Sequence, residues 1–130
     1  MLLIIFLVLI LVLVQNMLPG MMLTRQVGAQ AQMGSRDDLP EPTPELKRAR
    51  KALTNLQESL PIFLTLAILS IVLGEEGWLS VLGATVFLLC RAIYPVFYLR
   101  AMSPWRSLAF LGGLLGMLIM AVPLLPHLWS

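Results

Sequence analysis

The chain has 130 residues, of which 58% are hydrophobic and 12% are charged, and its mean hydropathy is +0.87. This composition lies outside the usual range of soluble domains and indicates that most of the chain lies in a membrane. The net charge of +2 is small and is carried by loops and helix ends, which favours an orientation in a bilayer and argues against a nucleic-acid surface.

The first apolar run covers residues 1–22 and is long enough to cross a hydrocarbon core about 30 Å thick as a helix. Residues 29–31, Ala-Gln-Ala, resemble a signal-peptide cleavage site downstream of this run. However, no positive charge precedes the run, and the site lies well past its apolar end. We therefore expect the run to be a membrane helix that is not cleaved.

A long polar segment, residues 24–47, separates the first apolar run from the second. Three prolines within residues 40–44 disfavour a continuous helix, so we predict an extended loop. The second helix should begin at Thr43 or Pro44. It is polar at first and becomes apolar after Ser59, which predicts that its first turns lie outside the hydrocarbon.

Two short connections complete the topology: residues 74–77 are acidic, and residues 100–106 are basic. Short connections join antiparallel neighbours. We therefore predict one all-α integral membrane domain over residues 1–130, folded as an antiparallel bundle of four transmembrane helices. The predicted helices cover about residues 1–22, 44–73, 78–100 and 104–127.

The basic residues predict the orientation of this bundle. They lie in or beside the first and third loops and are absent from the second, which predicts that the first and third loops are cytoplasmic and both termini non-cytoplasmic. The residues that flank the first loop are Arg25, Arg36, Lys47, Arg48, Arg50 and Lys51, and those that flank the third are Arg100 and Arg106.

The fourth apolar run is rich in glycine. Gly112 and Gly116 form a small-xxx-small pair with Gly113 beside them, a pattern that lets another helix approach closely. Glycine is also simply common in membrane helices, so the sequence leaves both interpretations open.

Polar residues fall on one face of the second helix and on one face of the third. At about 100° per residue, those of the second helix occupy a stripe about 80° wide, and those of the third a narrower one. The first stripe contains Arg48, Lys51, Asn55 and Glu58; the second contains Arg91, Tyr94 and Tyr98.

Arg91 lies about two helical turns inside the third apolar run. A charge at this depth costs several kcal/mol unless it is paired or hydrated, so it must face protein or a water-filled cavity. We predict Glu58 as its partner. The pair has two interpretations that the residues leave open: it fixes the register of two helices, or it lines a polar pocket open to the cytoplasm. A pocket so rich in cations would suit a small anionic ligand carrying carboxylates.

The segments 48–63, 91–98 and 104–107 together resemble the MAPEG family, the membrane-associated proteins in eicosanoid and glutathione metabolism. The most specific elements are Asn55-x-x-Glu58 and Arg91-x-x-Tyr94-x-x-x-Tyr98. The resemblance extends over the whole chain, because the order and length of the helices, the long first loop and the basic third loop also match. The chain resembles the small bacterial members of this family.

The resemblance implies a homotrimer in a membrane, expected to be a bacterial inner membrane, with glutathione as co-substrate between adjacent subunits near the cytoplasmic side. It implies a glutathione-dependent transferase or peroxidase that acts on lipophilic electrophiles, with no metal. Arg106 and Ser107 would lie near the glutathione sulfur, where Arg106 stabilises the thiolate. The residues expected to bind the rest of glutathione are Arg48, Lys51, Asn55, Glu58, Arg91, Tyr94 and Tyr98.

A non-catalytic trimer of the same family, binding lipid or a small anion, is the alternative. Lys51 stands where glutathione-using members commonly have arginine, and Phe110 stands where some present a tyrosine hydroxyl. Lysine cannot bind a carboxylate bidentately as arginine does, so these two positions keep the alternative open. No phosphate-binding loop, nucleophile elbow or metal-ligand spacing is present in the sequence.

Overall fold

The computed structural model describes residues 1–28, 43–99 and 103–129, apart from the side chains of residues 97–99 and 103. This part of the chain is helical, and it contains four helices that are long and apolar enough to cross a membrane, as predicted. The elements are α1 (Leu2–Val27), α2 (Pro44–Val72), α3 (Trp78–Leu99) and α4 (Ser103–Ala121), followed by a 3₁₀ helix (Val122–Leu128).

Two helix ends differ from the predicted boundaries. Helix α1 continues to Val27, because Leu23 is buried against the bundle; the helix ends only at Gly28, whose φ of 89° is left-handed. Helix α4 tightens into the 3₁₀ helix from Val122, where Pro123 and Pro126 lack the N–H groups that an α-helix requires.

Helix α2 begins where the sequence predicts. The side chain of Thr43 accepts a hydrogen bond of 3.2 Å from the backbone N–H of Leu46, and Pro44 occupies the first turn. Both features are typical of a helix N-terminus, because the threonine satisfies a backbone donor that the helix leaves unpaired and the proline needs no partner.

Helices α3 and α4 form the closest contact of the bundle, at two glycines. A Cβ atom on Gly83 would lie 2.5 Å from the carbonyl oxygen of Gly116, and one on Gly116 would lie 2.6 Å from the carbonyl oxygen of Gly83. A Cβ atom on Gly112 would lie 2.5 Å from the Sγ atom of the Cys90 side chain. Of the two interpretations of these glycines, the structure supports close helix packing.

The core lies between all four helices and holds their relative positions. Phe63 of α2 and Phe87 of α3 stack with ring centroids 4.3 Å apart and an interplanar angle of 5°. Val8 of α1 and Met120 of α4 are completely buried in the same cluster. Most of the apolar side chains of α1 that do not pack in this cluster are exposed, as expected for a helix in contact with lipid.

Candidate functional site

A cavity of about 490 Å³ lies where α2, α3 and α4 meet. Helix α2 contributes an amide and α3 a phenol, while the first turns of α4 contribute a guanidinium, a hydroxyl and two apolar side chains. Four of the nine predicted site residues therefore share one cavity. Its lining residues are Asn55, Tyr94, Arg106, Ser107, Phe110 and Leu111.

A hydrogen bond joins α2 and α3 at the wall of this cavity. The Nδ2 atom of Asn55 donates to the Oη atom of Tyr94 over 2.5 Å. Tyr94 is buried with 4% exposure, so its phenol is held in one position. The bond fixes the rotation of the two helices at this level and presents the amide and the phenol to the same space.

The opposite wall comes from the start of α4. Arg106 is half-buried and Ser107 is exposed, both within the first turns of a helix whose N-terminal N–H groups carry partial positive charge. None of the six lining residues is acidic. Guanidinium, hydroxyl and amide groups are hydrogen-bond donors. The cavity is therefore suited to an anionic group such as a thiolate or a carboxylate.

Arg91 lies one layer behind the cavity wall and is 1% exposed. Its guanidinium carbon lies 5.6 Å from the ring centroid of Phe87, 5.5 Å from that of Tyr94 and 5.1 Å from that of Phe110. These distances are typical of cation–π contacts. Within the described part of the chain, its Nε, Nη1 and Nη2 atoms have no hydrogen-bond partner.

The predicted pairing of Glu58 with Arg91 is wrong within the single chain. Glu58 is exposed, while the guanidinium of Arg91 is surrounded by aromatic rings. The physical reason is the rotation of α2. Asn55 lies at the edge of the buried face of this helix, where it meets Tyr94. Glu58 lies about 60° further round the helix and faces outwards.

The remaining predicted site residues do not line the cavity. Lys51 is exposed and Arg48 is half-buried, both on the cytoplasmic half of α2 under the predicted orientation. The side chain of Tyr98 lies outside the described residues. Among the residues that the structure does describe, no group of three potential metal ligands occurs.

Sequence reasoning missed the aromatic surroundings of Arg91. A spacing of four and then three residues places Phe87, Arg91 and Tyr94 on one face of α3. That pattern alone predicts an aromatic ring one turn before the arginine and another one turn after it. Gly113 contributes from α4: a Cβ atom there would lie 3.2 Å from the Nε atom of Arg91, so glycine leaves room for the guanidinium. Leu111, which also lines the cavity, gives no signal in the sequence.

One comparison with known proteins gives a match. The family model described as the MAPEG family matches residues 2–125, which is nearly the whole chain and includes every residue that lines the cavity. No curated protein matches the chain, and no solved structure does.

Proposed function

The chain belongs to the MAPEG family, and on that premise we propose that it is a glutathione-dependent membrane transferase or peroxidase acting on lipophilic electrophiles. The family includes glutathione transferases and peroxidases. The observation that carries the proposal is the cavity at the meeting point of α2, α3 and α4, which unites Asn55, Tyr94, Arg106 and Ser107 without an acidic residue in its lining.

The chemistry that this cavity supports is thiolate formation. A thiol near its ordinary pKa is mostly protonated at neutral pH, and a nearby cation or hydrogen-bond donor favours the anion, which is the nucleophile. Arg106 supplies the cation and Ser107 a hydroxyl, with the N-terminus of α4 adding partial positive charge. We assign Arg106 as the principal stabiliser of the glutathione thiolate.

In the transferase reaction, the thiolate forms a bond to an electrophilic carbon, and the displaced group leaves with the electron pair of the broken bond. In the peroxidase reaction, the thiolate attacks one oxygen of a hydroperoxide and releases an alcohol. A second glutathione then forms the disulfide and releases water, so two thiols are oxidised for each peroxide reduced. The apolar wall of Phe110 and exposed Leu111 suits a substrate that arrives from the bilayer.

The polar residues around the cavity would bind the peptide part of glutathione. Asn55 and Tyr94 lie at its wall and offer an amide and a phenol. The other residues assigned to this role by the family resemblance are Arg48, Lys51, Glu58, Arg91 and Tyr98. The rings of Tyr94 and Phe110 lie between the guanidinium of Arg91 and the cavity. Arg91 would therefore attract a carboxylate in the cavity by its charge, without a direct hydrogen bond.

A homotrimer would complete this site. Glu58 lies near the middle of α2, and its side chain is exposed in the single chain. Glu58 directly precedes the apolar part of the helix, and a carboxylate that faces lipid at this edge of the hydrocarbon is unfavourable. Packing the same face of α2 against neighbouring subunits would cover it, and glutathione bound between subunits would use it to hold a positively charged amino group.

We place the protein in a bacterial inner membrane, with the first and third loops cytoplasmic and both termini on the other side. The support is the positive-inside bias: Arg25, Arg50 and Arg106 lie at the end that carries the cavity, whereas Glu75 and Glu76 lie at the opposite end. The glutathione site would then open near the cytoplasmic side, where reduced thiols persist.

A non-catalytic membrane trimer that binds lipid or a small anion is the second candidate. Phe110 favours it, because this side chain contributes a ring to the cavity and no hydroxyl for the sulfur. Exposed Lys51 favours it as well, since an ammonium recognises a carboxylate less specifically than a guanidinium does.

Thermal unfolding of the detergent-purified protein tests glutathione binding. A ligand that binds only the folded state raises apparent stability, by about 2.7 kcal/mol at one hundred times its dissociation constant. We expect millimolar glutathione to raise the unfolding midpoint of the wild type and to have a smaller effect on Arg91→Ala. A midpoint unaffected by glutathione would favour the non-catalytic trimer.

Turnover of a soluble electrophile such as chlorodinitrobenzene, and of an alkyl hydroperoxide, tests the role of Arg106. Arg106→Ala should abolish turnover while leaving the oligomer intact, because the residue acts at the sulfur. Arg25→Ala is the matched control, since it removes the same charge from the same end of the protein but lies outside the cavity. Equal turnover by both variants would contradict the assignment of Arg106.

A further inference from the structure

The cavity at the meeting point of α2, α3 and α4 lies at the edge of the hydrocarbon, and two helices indicate this depth independently. Arg106 is the fourth residue of α4, about 5 Å along the helix from its first residue. Asn55 lies one turn before Ser59, after which α2 becomes apolar. Trp105, beside Arg106, is 55% exposed, as is typical of an aromatic residue at a membrane interface. A thiolate held at Arg106 is therefore close to the membrane surface and far from the middle of the bilayer.

The cavity also adjoins the outward surface of α4. Leu111 lines the cavity and is 58% exposed. It belongs to a set of leucines at intervals of three and four residues, which is the spacing of one helical face. We call this set the leucine stripe. It consists of Leu108, Leu111, Leu115 and Leu118, all of them more than half exposed.

The leucine stripe extends from the level of the cavity towards the middle of the bilayer. From Leu108 to Leu118 it spans about 15 Å, which is half of a hydrocarbon core about 30 Å thick. Helix α4 packs against the bundle with its opposite side, where Ala109 and Met117 are buried. The homotrimer proposed above covers a face of another helix, the face of α2 that carries Glu58, so the leucine stripe remains in contact with lipid.

Only one side of the cavity leads to this apolar surface. Its other lining residues, Asn55, Tyr94, Arg106 and Ser107, are polar. A reactive group at the end of an alkyl chain can enter the cavity while its chain follows the leucine stripe. A reactive group in the middle of a chain carries a second alkyl arm, which would lie against the polar lining or leave the hydrocarbon. Each methylene group displaced in this way lowers the population of the reactive complex about fourfold.

The lining also indicates which reactive group suits the cavity. It offers guanidinium, hydroxyl and amide donors and contains no acidic residue. When a thiolate adds to an α,β-unsaturated carbonyl compound, negative charge develops on the carbonyl oxygen. Donors positioned around that oxygen stabilise the transition state. A conjugated carbonyl group is also polar, so it lies at the membrane surface, which is the depth of the cavity.

We propose that the site takes single-chain amphiphiles that carry an α,β-unsaturated carbonyl group at one end, with the alkyl chain along the leucine stripe. This inference rests on the glutathione chemistry proposed above and specifies its substrate class. The thiolate forms a bond to the β-carbon, and the electron pair of the carbon–carbon double bond moves to the α-carbon, which takes up the proton that the thiol released. No group leaves, and no oxidant or reductant is required.

The test compares two isomeric enones of twelve carbons in the full-length protein reconstituted into phosphatidylcholine vesicles. One isomer is a methyl ketone with the enone at the end of the chain, and the other has the enone in the middle. Mass spectrometry of the glutathione conjugate gives kcat/KM for each, divided by the rate of its uncatalysed reaction with glutathione. Because isomers of equal carbon number partition similarly into the bilayer, the ratio reports the position of the reactive group. We expect the end isomer to be favoured at least about tenfold.

A water-soluble enone of four carbons separates this inference from the proposed function, because it needs no leucine stripe. If the protein conjugates the small enone but converts the two isomers equally, or prefers the middle isomer, the inference is overturned and the proposed function stands. If the small enone is not conjugated either, the proposed function itself is overturned.

A pair of variants tests where the alkyl chain lies. Leu118→Ala shortens the leucine stripe without touching the cavity and should raise the KM for the end isomer about threefold. Leu89→Ala is the matched control, since Leu89 is 59% exposed on α3 and lies outside the stripe; it should keep the wild-type KM. The unfolding midpoint of each variant shows that it has folded. Equal changes of KM in both variants would contradict the assignment of the chain to the stripe.

Discussion

Arg91→Met should leave the protein about as stable as the wild type and should weaken the stabilisation by glutathione. Arg91 is 1% exposed, and its guanidinium nitrogens have no hydrogen-bond partner among the described residues. Burying such a charge costs several kcal/mol. Methionine removes that cost while filling much of the same apolar space.

The magnitude follows from the three rings around the guanidinium. Cation–π contacts are worth about 1–2 kcal/mol each when they are desolvated. The three rings, Phe87, Tyr94 and Phe110, therefore stabilise the buried guanidinium by about 3–6 kcal/mol. This gain is close to the desolvation cost that it offsets. We therefore expect the free energy of unfolding to change by no more than about 2 kcal/mol in either direction, since methionine removes both contributions.

Arg91→Lys is the matched control. It retains the charge but replaces the planar, weakly hydrated guanidinium with a compact and strongly hydrated ammonium. We expect it to be less stable than both the wild type and Arg91→Met. The assay is the apparent unfolding midpoint of each purified variant, measured with and without millimolar glutathione.

The reasoning would be refuted by an Arg91→Met protein that is much less stable than Arg91→Lys. That result would mean that the positive charge has a strong anionic partner in the folded protein, and that the rings do not account for its burial. An Arg91→Met protein that is still stabilised by glutathione as strongly as the wild type would instead remove Arg91 from the binding site.

Three further substitutions test other parts of the structure by the unfolding midpoint. Gly83→Ala should cost about 1–3 kcal/mol, because its Cβ atom would lie 2.5 Å from a backbone oxygen of α4; Gly77→Ala, with nothing within 4 Å, should cost less. Tyr94→Phe removes the acceptor of the Asn55 amide and should cost about 1–2 kcal/mol while weakening stabilisation by glutathione; unchanged glutathione binding would contradict the role of this wall. His127→Gln removes a 2.8 Å contact with the carboxylate of Glu75 and should cost at most about 1 kcal/mol. Because this pair lies away from the cavity, reduced glutathione binding in His127→Gln would contradict the position of the site.

Much of the candidate site can be assembled from the sequence, because helical periodicity places residues on faces without any tertiary information. Asn55 and Tyr94 were assigned to polar stripes on separate helices, and they hydrogen-bond in the structure. Arg106 and Ser107 came from the resemblance, and they line the same cavity. The partner of Arg91 was not predictable in this way, because it depends on how far each helix is rotated about its own axis.

The sequence by itself determined the four membrane helices and their order. Apolar runs of about twenty residues can satisfy their backbone hydrogen bonds in lipid only as helices, so composition and charge placement are sufficient. Tertiary structure alone decided which side chains meet. The contact between Gly83 and Gly116 sets how closely α3 and α4 approach, and the rotation of α2 turns Asn55 inwards and Glu58 outwards. The cavity exists because these helices meet at that distance and rotation, and neither quantity is encoded in the periodicity of one helix.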